Sequence, residues 1–423
     1  MIKKTYPNYH ETVYIYKLKN GMQIHVMPQP APFYSTYVEL SVPYGALDLN
    51  YKFENEFVET PPGTAHFFEH KIFAMPDGDA FSTFSRLGVE ANAMTSYDQT
   101  SYLFKSTNHF YEALAHLLNM LDTPYFTDEN IEKEKLIIGE ELKMYQDHPI
   151  YSMQDQLIQM LYHHHPQKHD IGGTLESIQQ VNKNTLEQVY KAFYHPKNRL
   201  MVIAGQIDLV ELKHFISSYD QEVKRYQKPV ILYPKEPKKL VLKSVSKKKN
   251  IGINKLMIGI KLDPIPGSKK ENLRQELAMS LAMGLLLGPS SKFYEKLSDE
   301  KLINQSFSVN TNFQKYAENI IIYGESKHII KLKRTLLDFL TKDLEQEMTE
   351  EAFTRYKRMY VGQIIYTINQ LEAKVYYYGK YWHAGLTLFE VIDMLNEINL
   401  EDVIFQIKRI KKRYIANLIY KKA

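Results

Sequence analysis

The segment Gly63-Thr64-Ala65-His66-Phe67-Phe68-Glu69-His70 holds the residue types best suited to chemistry. On a helix, histidines four residues apart project from one face about a turn from each other, so both imidazoles can reach a single metal ion. Glu69, three residues after His66, lies close enough to that face to reach a water on the metal without binding the metal itself, the place of a general base. The order His-x-x-Glu-His inverts the commoner His-Glu-x-x-His. Taken alone the pattern has another reading. Phe67, Phe68, Ile72 and Phe73 make the stretch apolar, and its histidines could simply satisfy backbone groups in a core.

A second acidic segment, residues 132–144, bears on that choice. Glu134 and Glu141 are seven residues apart, nearly two helical turns, and share a face, whereas Glu140 is rotated by ~100°. A carboxylate ligand together with a carboxylate behind an imidazole needs such a face. The chain has no cysteine, which excludes disulfides, thiolate metal sites and a thiol nucleophile, so a transition metal must be held by His and carboxylates. A structural zinc site takes four protein ligands and has no use for a base beside them.

The elements that must position these groups are α+β. Residues 13–28 read as a hairpin turning at Asn20-Gly21, and 35–45 continue the strands. Pro61-Pro62-Gly63 then breaks the chain before the His66 helix, with Thr64 placed to cap it. Helical patterns follow at about 107–122, 129–147, 150–162 and 183–194, and 198–205 reads as a buried strand. Residues 227–250 are Lys- and Pro-rich, the composition of an exposed connection, and the lysines at 247–249 read as solvated linker. Two domains are therefore expected, 1–226 and 251–423. Residues 251–423 form a worn copy of the first domain, with 361–365 answering 138–142 and 386–392 answering 173–178. His163-His164-His165 followed by His169 is expected to be a solvated cluster rather than a second metal site, and the aromatic run 376–383 core or interface packing rather than a ligand-stacking surface.

Several segments in order resemble the pitrilysin, insulin-degrading-enzyme and mitochondrial-processing-peptidase family, the inverzincins: residues 63–73, Asn92-Ala93-Met94-Thr95, the Glu134/Glu141 pair, Gly173-Thr174-Leu175-Glu176-Ser177-Ile178 and Tyr194-His195-Pro196-Lys197-Asn198. The resemblance implies one Zn²⁺ per chain held by His66, His70 and Glu141, which lies 71 residues after His70. It implies Glu69 as the base, Glu134 orienting a ligand, and Asn92, Ala93 and Thr95 on a strand that pairs with extended peptide substrate. The implied fold is two homologous α/β sandwich (roll) domains, antiparallel-rich sheets each covered by helices, enclosing a chamber. The implied activity is a zinc endopeptidase for short or unfolded peptides. The alternative is a non-catalytic or structural subunit of a processing-peptidase-like assembly. Relatives often carry an Arg and a Tyr seven residues apart in the second half, where this chain has Ser298 and Gln305. That implies a dimer with a paralogous subunit supplying the pair.

The bulk numbers agree with a soluble globular protein: 423 residues, 44% hydrophobic and 24% charged. The net charge of +4, from 53 basic and 49 acidic residues, is too near balance to predict a nucleic-acid or membrane-surface partner. No apolar run reaches the ~18 residues of a membrane span, and no apolar stretch follows Lys3-Lys4 near the start, so a cytoplasmic address is the expectation.

Overall fold

The structure, a computed structural model, describes residues 1–220, 226–342 and 344–423. The first half contributes the strands β1 (Ile2–Tyr6), β2 (Glu11–Lys17), β3 (Gln23–Pro28), β4 (Thr36–Val42), β5 (Glu90–Thr95), β6 (Thr100–Ser106) and β7 (Leu200–Gly205), of which β4 and β7 are buried along their whole length. They form one sheet in the order β1-β2-β3-β7-β4-β6-β5, antiparallel except for β3 and β7. The expected hairpin is β2–β3, with Tyr14 opposite Val26, and Gly21 takes the positive φ of 89°. β5 stands at the sheet's edge with β6 as its partner. One face, with Val38, Leu40, Tyr102 and Phe104, packs on helices of the same half, including α1 (Thr64–Lys71), whose Phe67 and Phe68 are fully buried.

Two consecutive helices of the first half, α2 (Asp128–Asp147) and α3 (Pro149–Leu161), are separated by His148 alone. The second half has its own sheet of β8 (Ser244–Lys249), β9 (Lys255–Leu262), β10 (Ser308–Gln314), β11 (Ala317–Glu325) and β12 (Ile415–Lys422), in the order β8-β12-β9-β11-β10. Its long helices α4 (Glu350–Ile368) and α5 (Leu371–His383) occupy the places of α2 and α3 in the repeat. The weak sequence repeats fall where a duplication requires. Residues 138–142 and 361–365 lie within α2 and α4, and Thr174 and Thr387 each cap a helix through a capping box.

Each half lends a helix to the other. α5 lies on the free face of the first sheet, where Val375 and Tyr378 are buried with Met27, Tyr37 and Val202. The Tyr378 hydroxyl is 2.9 Å from His25 Nδ1, and His383 Nε2 is 2.8 Å from the Ser41 hydroxyl. In return α3 covers the second sheet, with Met153, Leu157 and Leu161 packed on Met257, Ile321 and Leu418. A Cβ at Gly259 of β9 would come within 3.1 Å of Leu157 and Leu161, so glycine there sets how closely the helix approaches. The aromatic run 376–383 is thus packing, as expected.

The segment 227–250 departs from expectation. Val230–Ile231 pairs with Asn50–Phe53, and residues 244–249 are β8, in parallel register with β12. Composition misleads here because β8 is an edge strand: residues 246–249 face solvent while their backbone is paired. Glu236, between the two paired pieces, accepts from the amides of His163, His164 and His165 at 3.0, 2.7 and 2.9 Å. It also accepts from the buried ammonium of Lys261 in β9 at 2.6 Å. The expected solvated histidine cluster is corrected at His165 alone, since His164 is exposed and His163 and His169 are half-buried. His165 is fully buried, stacks on Tyr233, and its Nε2 lies 2.9 Å from the Lys315 carbonyl.

Burial alone would raise Glu236, but Lys261 and the three amides hold it down, at about 2. A carboxylate depressed below its unfolded value of ~4.3 contributes fully above that pH and loses its contribution as pH falls toward the native value. Glu236→Gln should cost about 3 kcal/mol at neutral pH by leaving Lys261 buried without its partner. In urea melts, wild type should lose stability between roughly pH 4.5 and pH 2 more steeply than the variant. Equal acid sensitivity of the two would contradict the assignment.

Candidate metal centre

The sharp start of α1 is set by backbone. Its cap is Gly63 at φ 90° rather than Thr64, whose hydroxyl instead donates to the Pro61 carbonyl at 2.6 Å. Gly63 is pressed against the segment 172–173: a Cβ there would sit 2.4 Å from the Gly172 carbonyl oxygen, and one on Gly173 (φ 81°) 2.4 Å from that of Pro62. Ser177 donates to the Pro62 carbonyl at 2.7 Å. The Gly-Thr-x-x-Ser segment at 173–177 is therefore a shelf on which the helix begins.

From that start, one turn of α1 brings the His66 and His70 rings to 4.6 Å between centroids. α2 runs alongside and presents Glu141, with Oε1 3.8 Å from His66 Nε2 and Oε2 3.5 Å from His70 Nε2. One donor atom from each of the three lies within 4.8 Å of the others, and among the described residues this is the group that could hold a metal ion. Tetrahedral ligands at ~2.1 Å from zinc are roughly 3.4 Å apart, so the trio needs little adjustment. Glu140 points away, 76% exposed and paired with Lys143 at 2.7 Å, as its helical phase requires.

The protonation chemistry suits a cation. Burial lowers His66 to about 4, so its imidazole is neutral and able to ligate. His70 Nδ1 is 3.0 Å from Glu134 Oε1 and donates to it; burial opposes, but Glu134, Glu69 and Glu141 raise His70 above its ordinary value, and a cation bound at Nε2, on the side of Glu141, would take the place of the second proton. Glu134 in turn accepts from the buried Lys71 ammonium at 3.1 Å. Burial would raise Glu134, but His70 and Lys71 together hold it low, and it stays an anion. These residues fit zinc: two imidazoles, one fixed in tautomer, and one carboxylate.

Glu69 lies beside the trio with Oε2 accepting from the Thr95 hydroxyl at 2.5 Å. Burial, aided by Glu141, raises its carboxyl against the opposing pull of Thr95 and His70. Thr95 closes the edge strand β5, so the same strand that offers its open backbone also holds this carboxylate. Asn92, on β5, is exposed, and its Oδ1 accepts from the Ala93 amide at 2.9 Å; Ala93 and Thr95 are half-buried. Sequence reasoning missed Lys71, the grip of Thr95 on Glu69, and the 172–177 shelf. Lys71 had a signal, a charge beside the apolar Ile72-Phe73; the other two depend on contacts between distant segments.

Residues 56–175 match the family model described as insulinase (peptidase family M16), and residues 180–360 match the peptidase M16 inactive domain. The zinc protease YmfH of Bacillus subtilis is 33% identical over 402 residues, 94% of each chain. The chain belongs to peptidase family M16. An M16-like peptidase from Alicyclobacillus acidocaldarius shares the fold of this M16 member over the full length of both chains, with a TM-score of 0.93 at 29% identity. The periplasmic protease PqqL of Escherichia coli matches 97% of it at a TM-score of 0.74, yet this chain spans 48% of that one. M16 relatives are named zinc proteases, and the His66, His70 and Glu141 group fits that chemistry.

Competition with a chromophoric chelator should show zinc affinity collapsing in Glu141→Gln and falling roughly 10–100-fold in Glu134→Gln. Glu140→Gln should bind as wild type does. Loss of zinc in Glu140→Gln with retention in Glu141→Gln would contradict the phase of α2.

Proposed function

We propose that the chain is a zinc-dependent endopeptidase acting on short or unfolded peptides, with His66, His70 and Glu141 as ligands of one Zn²⁺ and Glu69 as the base. The observation that carries this reading is the placement of Glu69, gripped by Thr95, beside a three-donor group, since a purely structural metal site has no use for it. Zinc, when bound there, lowers the pKa of a water toward ~7 and draws charge from the scissile carbonyl. Thr95 holds Glu69 Oε2, so Oε1 is the oxygen that takes the water's proton and returns it to the leaving amine. Glu134 and Lys71 fix the His70 ring. The substrate adds as a strand to β5, whose main-chain groups supply affinity, with Asn92, Ala93 and Thr95 along the paired segment.

The partner in this reading is a second M16 chain, and most naturally a paralogue. Two facts support it. By the family resemblance, Ser298 and Gln305 fall where relatives often have an Arg and a Tyr, and this chain spans 48% of the length of PqqL. Loss of a donor to the developing oxyanion typically costs ~10²–10³ in rate, which a partner would restore.

Purified chain, alone and mixed with a co-purifying M16 relative, should be assayed against a peptide library. Glu69→Gln should abolish cleavage while retaining one zinc per chain, and Thr95→Val should slow turnover about tenfold by releasing Glu69. Full turnover by Glu69→Gln would refute the base assignment, and full turnover by a strict monomer would refute the partner.

A further inference from the structure

The lysines of β8 form part of a larger basic strip. β8 pairs in parallel with the C-terminal strand β12, which sets Lys248 beside Lys421 and Lys249 beside Lys422. The strip continues to the other end of the same strand pair, with Lys243 before β8 and residues 411–413, two lysines and an arginine, before β12. All these cations are exposed, and among the described residues none is in an ion pair. The nearby acids are taken: Asp263 pairs with Lys238, and Glu236 with Lys261. Six residues of strand give the strip a length of ~20 Å. It lies on the outer edge of the second sheet, opposite the open edge at β10.

Lysines on an edge strand also discourage sheets from joining edge to edge, and that would account for residues 247–249 alone. It does not account for cations on the second strand in or at the far end. Nor does it account for Val241 and Leu242, which are 39% and 52% exposed. These two side chains sit between Lys239 and Lys243, on a segment held in place because both their amides donate to the Met160 carbonyl at the end of α3. Exposed aliphatic groups among unpaired cations on a fixed support match a surface that is both anionic and apolar just below its charge. A nucleic-acid duplex would be held through its phosphates and would offer Val241 and Leu242 no apolar partner, and a single strand would call for exposed stacking rings, whereas Tyr414, the strip's aromatic residue, is half-buried beneath Arg413.

We propose that this edge docks the protein on an anionic phospholipid bilayer, with the lysines meeting headgroup phosphates and Val241 and Leu242 entering the interface. A cluster of this size exceeds the four to eight basic residues that, by ~1 kcal/mol each, hold peripheral proteins to such surfaces. The docked edge is separate from His66, His70 and Glu141, so the inference stands apart from the peptidase reading.

The test is co-sedimentation of the full chain with vesicles of phosphatidylcholine alone and of phosphatidylcholine mixed with phosphatidylglycerol. Binding is expected only to the mixed vesicles and should weaken with added salt. The variant K247Q/K248Q/K249Q should lose at least about tenfold in binding, given the per-lysine contribution. V241S/L242S should weaken binding with the charge unchanged, and both variants should melt at the wild-type temperature and keep wild-type zinc content. Absence of binding to the mixed vesicles would overturn the proposal, as would unchanged binding by both variants. Release from the vesicles by a short DNA duplex at equal phosphate concentration would point to a polyanion site instead and would equally overturn it.

Discussion

Everything at the candidate metal centre depends on the register between two helices. α1 carries a ruler of one turn, His66 to His70, and α2 a ruler of nearly two, Glu134 to Glu141. They become a site only when laid side by side at one setting. The contact that sets it is His70 Nδ1 to Glu134 at 3.0 Å, backed by buried Lys71. A slip of one residue along α2 would turn the Glu141 carboxylate ~100° away from the two imidazoles. Lys71 matters because a buried carboxylate without a cation beside it favours its protonated form, and a protonated Glu134 could not accept from His70 through Oε1 and from Lys71 through Oε2 at once. Behind this contact, the meeting of Gly63 with Gly172 and Gly173 fixes where α1 starts, and so where the first ruler is placed.

The second half serves the same end at longer range. Its helix α5 covers the face of the first sheet opposite α1, and α3, which follows α2 after a single residue, covers the second sheet. A helix anchored in the partner half cannot shift without disturbing a core that is not its own. α2 is thus held at one end by the capping box at Thr127 and at the other by the buried side chains of α3. The worn copy keeps the architecture of the duplication, while among the described residues the donor group lies in the first half.

Much of this was legible in the sequence, for reasons that differ by feature. The imidazole pair and the phase of Glu141 against Glu140 follow from helical periodicity, which fixes faces whatever the surroundings. The duplication survived in capping residues such as Thr174 and Thr387, because a cap is a local requirement that drift does not easily remove. What could not be read was which sheet a helix would cover: α3 and α5 have apolar faces, but nothing local says that those faces belong to the opposite half. Gly63 and Thr64 are both acceptable caps, and only the contact with residues 172–173 chooses between them. Residues 244–249 have the composition of a linker because an edge strand can be exposed along its whole length. The near-neutral net charge concealed a basic strip for the simpler reason that a sum does not record position.

The central claim is that one metal ion sits between α1 and α2. Anomalous diffraction from crystals of the zinc-loaded chain, recorded on either side of the zinc absorption edge, tests it directly. A single peak per chain is expected, ~2.0–2.2 Å from His66 Nε2, His70 Nε2 and a Glu141 oxygen, with Glu134 beyond bonding distance. A peak bonded to Glu134 or Glu140 in place of Glu141, or the principal peak at residues 163–165 or in the second half, would contradict it.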